Sequence, residues 1–222
     1  YTNAWINNLN NSRNIILRKS QFFFKNGWCL IDPNSLGITN QISQQLLNIK
    51  KVDYIKNSKN LGVYSLKQNS IKKYSVFEEL SKNDLIKETL YKISGRKVGL
   101  SCIMHMLGIG KSPSLHWHRD SYIRDNKYIG PIPSVIKLMI TNNTLTQKDG
   151  PFDVVRGSHT IDLNNKIFDK LIPMYFYLKK KAFISNKRQC ILFDGRILHR
   201  RSYSCNNGFR SGTILSYTSK FT

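Results

Sequence analysis

A histidine and an aspartate one residue apart, His118 and Asp120, sit in the stretch Leu115-His116-Trp117-His118-Arg119-Asp120-Ser121. Alternate side chains of an extended strand share a face, so this spacing lets an imidazole and a carboxylate converge on one metal ion. A third ligand must come from far along the chain. The best candidate is His199, in Leu192-Phe193-Asp194-Gly195-Arg196-Ile197-Leu198-His199. Two histidines and a carboxylate on one face of iron(II) leave the opposite positions open for oxygen chemistry. The His-x-Asp pattern is common by chance, and its company gives it weight. Gly150-Pro151-Phe152-Asp153-Val154-Val155-Arg156-Gly157-Ser158-His159 lies between the two halves, and Arg210 stands eleven residues after His199. His116 shares the strand face of His118 by alternation, and the single-residue gap to Asp120 selects His118 as the ligand. His105 and His159 read as structural.

In this order the motifs resemble the phytanoyl-CoA dioxygenase family of iron(II)/2-oxoglutarate oxygenases. The resemblance covers most of the chain, from Phe22-Phe23-Phe24-Lys25-Asn26-Gly27-Trp28 to the strand after Arg210, and its later motifs are the specific ones. It implies a mainly β fold with flanking helices: a double-stranded β-helix, or cupin-like jelly roll, with the metal between its sheets and a helical layer in front. It further implies Fe(II), 2-oxoglutarate and O2 as cofactors, with succinate and CO2 released as a C–H bond is hydroxylated. Arg210 is then the anchor for the distal carboxylate of 2-oxoglutarate, since a guanidinium offers a planar, permanently charged fork. Many members carry a serine two residues after the last histidine that helps hold this carboxylate. Here that position is Arg201, and Ser202 follows as the nearest hydroxyl for the second contact. Arg156 replaces the proline usual before Gly-Ser-His, a turn that in the family braces the barrel. Asp120 is retained where halogenating relatives have Gly or Ala, which favours hydroxylation.

The elements that must position these groups fall into two halves. Residues 12–25 have the apolar spacing of an amphipathic helix stopped by Gly27, and a short strand follows at Trp28–Ile31. Helices are expected at Ile42–Ile49 and Asp84–Ile93, the latter capped by Ser81 or Asn83 and ended by Gly95. After Lys97 the texture becomes short β-rich segments broken by Gly, Pro and Asn. Strands are expected at Val98–Met104, Leu115–His118, Val135–Thr141, Phe152–Val155, Gln189–Phe193 and Thr213–Thr218. The chain reads as a single domain over 1–222, with a mostly helical front to residue 96 and a β-rich catalytic core from residue 97. All five histidines lie in the core.

With 222 residues, 40% of them hydrophobic, the chain can bury one substantial core. No run reaches the roughly 18 to 20 apolar residues of a membrane span. Cys29, Cys102, Cys190 and Cys205 form no C-x-x-C pair, which argues against structural zinc and fits reduced thiols in the cytoplasm. Thirty-five Lys and Arg against 13 Asp and Glu give a net charge of +22. Such a surface attracts anions, and the partner expected is a small, anionic substrate. Lysine spread through an Asn- and Ile-rich sequence is also what an AT-biased genome writes into any solvated surface. The densest run, Lys179-Lys180-Lys181, lacks the stacking aromatics of single-strand binders, which weighs against nucleic acid.

Between Ser121 and Pro133 a loop with two tyrosines follows directly on the metal motif, and such loops often select substrate. His116, Arg119, Tyr122, Arg124, Lys127 and Arg201 are the candidates for meeting the substrate at the mouth. Two other readings compete: an oxidative nucleic-acid demethylase, which would use the charge, and a non-catalytic basic binding protein on a cupin-like shell. The segment from Gly150 to His159 points to the small-molecule branch, and the intact ligand set argues against a dead shell. His118-Arg119-Asp120 also mimics a kinase catalytic loop. Asp125 stands where a kinase needs Asn, and no Gly-rich loop precedes it.

Overall fold

In the computed structural model, residues 2–56, 62–120, 135–161, 177–205 and 207–219 are described, with side chains omitted for 2–13 and 219. Helix α1 (Thr2–Asn26) ends where Gly27 takes a φ of 81°, and β1 (Trp28–Ile31) follows at once. A Cβ on Gly27 would come within 2.6 Å of His159 Nδ1, so this turn needs glycine for space as well as for conformation. Helix α2 (Asn40–Leu47) begins two residues before the expected start because the Thr39 side chain caps it, accepting from the Ile42 amide. Two short strands, β2 (Tyr54–Lys56) and β3 (Val63–Leu66), and helices α3 (Gln68–Ile71) and α4 (Ser75–Lys82) lie where no element was expected. Helix α5 (Asp84–Ser94) has Asn83 as its cap and Gly95, at φ 72°, as its stop.

The β-rich half comprises β4 (Val98–Ile109), β5 (Val135–Thr141), β6 (Phe152–Val155), β7 (Lys180–Phe183), β8 (Cys190–Asp194), β9 (His199–Arg201) and β10 (Phe209–Ser219). Strands β4 and β10 outrun their expected ends because they pair with each other from Val98 to Ile109. The major sheet runs β1-β8-β5-β10-β4-β3-β2 and the minor sheet β7-β6-β9, every pairing antiparallel. On β7, at the minor sheet's edge, Lys180 and Lys181 are exposed.

Alternation sorts the side chains into two cores. Ile136, Leu138, Ile140, Leu192, Leu215 and Tyr217 face the helices and pack with Phe23, Phe77, Leu80, Ile86 and Leu90. Met139, Ile191, Phe193 and Ile214 face the other way, against Phe152, Val154 and Phe183 of the minor sheet. This second core is the inside of the jelly roll. His105 belongs to the helix side. Its Nδ1 lies 2.8 Å from Thr213 Oγ1, its Nε2 is buried without a hydrogen-bond partner, and the Tyr54 and Phe77 rings flank it. Among the described residues, no helix is long and apolar enough to cross a membrane.

Candidate metal centre

The expected strand at Leu115–His118 is an extended segment held to β9 at isolated points. Ser112 bridges Ser204 and His118 bridges His199. Five residues (113–117) span the first side and four (200–203) the second, so the segment carries one extra residue, as in a β-bulge. Pro113 has no N–H to give to a ladder. The insertion breaks the alternation, so the expectation that His116 shares a face with His118 fails: His116 is exposed, and its carbonyl takes a 2.9 Å hydrogen bond from His118 Nδ1.

That hydrogen bond and its counterpart at His199, whose Nδ1 lies 2.9 Å from the Ile197 carbonyl, fix both rings. With Nδ1–H tied to backbone, Nε2 is the nitrogen that each ring has left to offer a metal. The ring centroids are 4.4 Å apart, and His199 Nε2 is 3.1 Å from Asp120 Oδ2. One ligand atom from each of His118, Asp120 and His199 lies within 4.8 Å of the others. Burial, then the neighbouring His199, lowers the pKa of His118, which favours the neutral ring that a metal needs. Burial pushes the Asp120 carboxyl upward, but His199 and Lys137 outweigh it and the net shift is down, so the group is a carboxylate. Two imidazoles and one carboxylate are a donor set that fits a divalent metal with open positions.

The Gly-Ser-His turn holds both halves of this centre. Ser158 Oγ accepts the Leu198 amide at 2.8 Å, next to His199, and the Ser158 carbonyl accepts Arg119 Nη2 at 2.8 Å, between the other two ligands. Arg119 also donates to the Ile161 carbonyl at 3.0 Å and is 9% exposed, so it is a brace and not the mouth residue expected. His159 ties the turn to α1 through the Phe24 carbonyl at 2.9 Å, and the Asp120 amide donates to Gly195 O at 2.9 Å.

The remaining expected residues separate. Arg210 is on β10 with its Nη1 on the Gly150 carbonyl at 2.7 Å. Burial, with the charge of Arg201 second, brings its pKa down to about 10. Arg201 is 5% exposed and lies inside, not at the mouth. Ser202 follows the end of β9 and its hydroxyl donates to the buried Asp153 carboxylate, so it is not the expected second co-substrate contact. Tyr122, Arg124 and Lys127 lie outside the described residues. Lys137 was not anticipated. It shares the interior face of β5 with Met139, is 7% exposed, and its Nζ is 2.8 Å from Asp120 Oδ2. The available signal was a lysine inside the apolar run Val135-Ile136-Lys137-Leu138-Met139-Ile140.

The description phytanoyl-CoA dioxygenase (PhyH) matches residues 39–210 of this chain. No curated protein matches it in sequence. HygX from Streptomyces hygroscopicus, solved with nickel and 2-oxoglutarate bound, superposes with a TM-score of 0.71 at 14% identity, over 92% of this chain and 87% of that one. SnoN, a non-heme α-ketoglutarate-dependent epimerase from nogalamycin biosynthesis, gives 0.69 at 12% identity over 93% and 84%. EctD from S. alaskensis with bound Fe gives 0.62 at 13% identity over 91% and 76%. At these identities the likeness is one of fold.

Proposed function

This chain belongs to the phytanoyl-CoA dioxygenase family, the iron(II)- and 2-oxoglutarate-dependent oxygenases, and we propose that it hydroxylates an unactivated C–H bond of a small anionic molecule. The observation that carries the reading is the convergence of His118, Asp120 and His199 with both imidazoles fixed through Nδ1. When bound, iron(II) with 2-oxoglutarate and O2 supplies the oxidising power, and succinate and CO2 leave.

The chain's own part is to bind, orient and keep dry. His118, Asp120 and His199 hold the metal. Arg210, charged at neutral pH and half-buried, receives the far carboxylate of 2-oxoglutarate. Phe152, Phe193, Met139 and Ile214 form an apolar wall that keeps water from the reacting centre. The interior face carries Lys137, Arg201 and Arg210 against Asp120 alone among the described residues, and this excess of positive charge favours an anionic substrate. Four free cysteines suit a reducing, cytoplasmic setting, with residues 1–222 acting as one domain.

The test is succinate formation by the iron-loaded protein, with and without a panel of acyl thioesters, phosphonates and amino acids. An anionic member of the panel should stimulate turnover, and its apparent affinity should weaken as salt shortens the Debye length from roughly 10 Å toward 3 Å. His118→Ala, Asp120→Ala and His199→Ala should each lose most iron affinity and keep the fold by circular dichroism. Undiminished iron binding in all three would remove the metal from this centre.

A further inference from the structure

The interior holds more positive charge than a single anchor uses. Arg201 stands two residues beyond His199 on β9 and so projects from the same face. Its Nη1 donates to Ser112 Oγ at 2.7 Å and its Nη2 to the Pro113 carbonyl at 2.9 Å, while its Nε is buried with no hydrogen-bond partner. Arg210 comes from the major sheet opposite, with Gly150 O as the acceptor of its Nη1. A guanidinium has five N–H groups, so both retain donors beyond these contacts.

Two other arginines of low exposure are paired with carboxylates, Arg196 with Asp194 at 2.6 Å and Arg200 with Asp153 at 3.4 Å, while Arg119 and Arg188 donate to neutral oxygens. Among the described residues no carboxylate lies within 4.0 Å of Arg201 or Arg210. The two charges also act on each other, since Arg201 is the second cause, after burial, of the lowered Arg210 pKa. Two like charges, Arg201 buried and Arg210 half-buried, oppose each other without a counterion, and an anion bound between them relieves this. Space for one exists beside Arg210, because its neighbours on the same face, Gly108 across the ladder and Gly212 along β10, have no side chains.

We propose that Arg201 and Arg210 together form a two-guanidinium well for the far carboxylate of the 2-oxo acid, with Arg201 as a second specificity-determining contact. The proposal rests on the reading that 2-oxoglutarate is the co-substrate. It adds that discrimination for a dicarboxylate depends on two residues, one from each sheet.

The experiment is an anaerobic titration of the iron(II) protein with 2-oxoglutarate and with 2-oxopentanoate, which has the same carbon chain without the far carboxylate, following the visible chelate band. Arg201→Ser should weaken 2-oxoglutarate by about 10-fold or more, the loss expected when one partner of a buried charged pair is removed, and leave 2-oxopentanoate within about 2-fold. Equal weakening of both acids would mean that Arg201 only fastens the segment at Ser112 and Pro113, and would overturn the proposal, as would no change in either. Should Arg201→Ser fail to hold iron, Arg201→Lys decides: a retained preference for the dicarboxylate supports the well, and equal loss of both acids overturns it. Arg210→Ala separates the two readings. Loss of the preference in Arg210→Ala with none in Arg201→Ser overturns the second contact alone, whereas a parent protein that does not distinguish the two acids overturns the co-substrate reading itself.

Discussion

Arg119 lies between two proposed ligands yet turns away from them, and its guanidinium closes on two carbonyls of the Gly-Ser-His region. Removing it takes one of two donors from the Ser158 carbonyl, which keeps the Ile161 amide at 3.3 Å, and strips the half-buried Ile161 carbonyl of its guanidinium. Arg119→Ala should therefore lose about 1 to 3 kcal/mol in urea denaturation, with weaker iron binding because His118 and Asp120 flank the gap. A variant as stable as the parent would show the brace to be dispensable. The convergence of His118, Asp120 and His199 was legible in the sequence because metal chemistry restricts both type and spacing. Arg119 and Arg201 were misplaced as mouth residues for one physical reason: arginine in a β-rich stretch reads as solvated unless its acceptors are known, and those acceptors are backbone carbonyls and a hydroxyl. Lys137 was missed similarly, since a lone lysine in an apolar run suggests an outward face, whereas β5 is buried on both.

Between the helical layer and the major sheet, His105 is the group that feels pH. Burial lowers its pKa from 6.5 to about 4. The folded protein then binds fewer protons than the unfolded chain between those values, so the contribution is present above 6.5 and is lost as pH falls toward about 4. The difference corresponds to a penalty on the order of 3 kcal/mol. Urea midpoints should fall across this window in the parent and fall less in His105→Gln, which cannot titrate. Parallel curves would mean that other groups govern the acid limb. The elements themselves were read unevenly. β1, β5 and β6 were placed to the residue, because each is a compact β-branched or aromatic run with clear ends. Helix α4 was missed though Val76, Phe77 and Leu80 share a buried face, since eight residues give only two turns of pattern. The segment at 115–118 failed as a strand because the extra residue that spoils the ladder is invisible until β9 is beside it.

For the molecule as a whole, a metal at the proposed centre would join a loosely bridged segment to a strand of the minor sheet, so binding should stabilise the entire fold. At free metal 100-fold above Kd the linkage is about 2.7 kcal/mol, or roughly 5 to 10 °C for a protein of this length. Thermal melts with iron(II) or manganese(II) against a chelator should show that shift in the parent and lose it in Asp120→Ala. An equal shift in both would place the binding elsewhere. The overall jelly roll was foreseen, since short β segments after a helical front leave few architectures. What could not be foreseen was how the +22 charge divides between surface and interior.

Part of that charge lies at the rim of the minor sheet. Strand β7 pairs with β6 on one side, and among the described residues nothing pairs with its other edge. An open strand edge is a template on which a second chain can add, and such addition is how β-rich proteins begin to aggregate. Lys180 and Lys181 stand on that strand with exposed side chains. Any incoming strand would have to strip water from the Lys181 ammonium and displace Lys180, whose Nζ lies 3.8 Å from the Asp153 carboxylate, or meet their repulsion in its own copy. The run that looks most like a landing site for an acidic polymer is therefore placed to keep copies of this protein apart when the cell makes it in quantity.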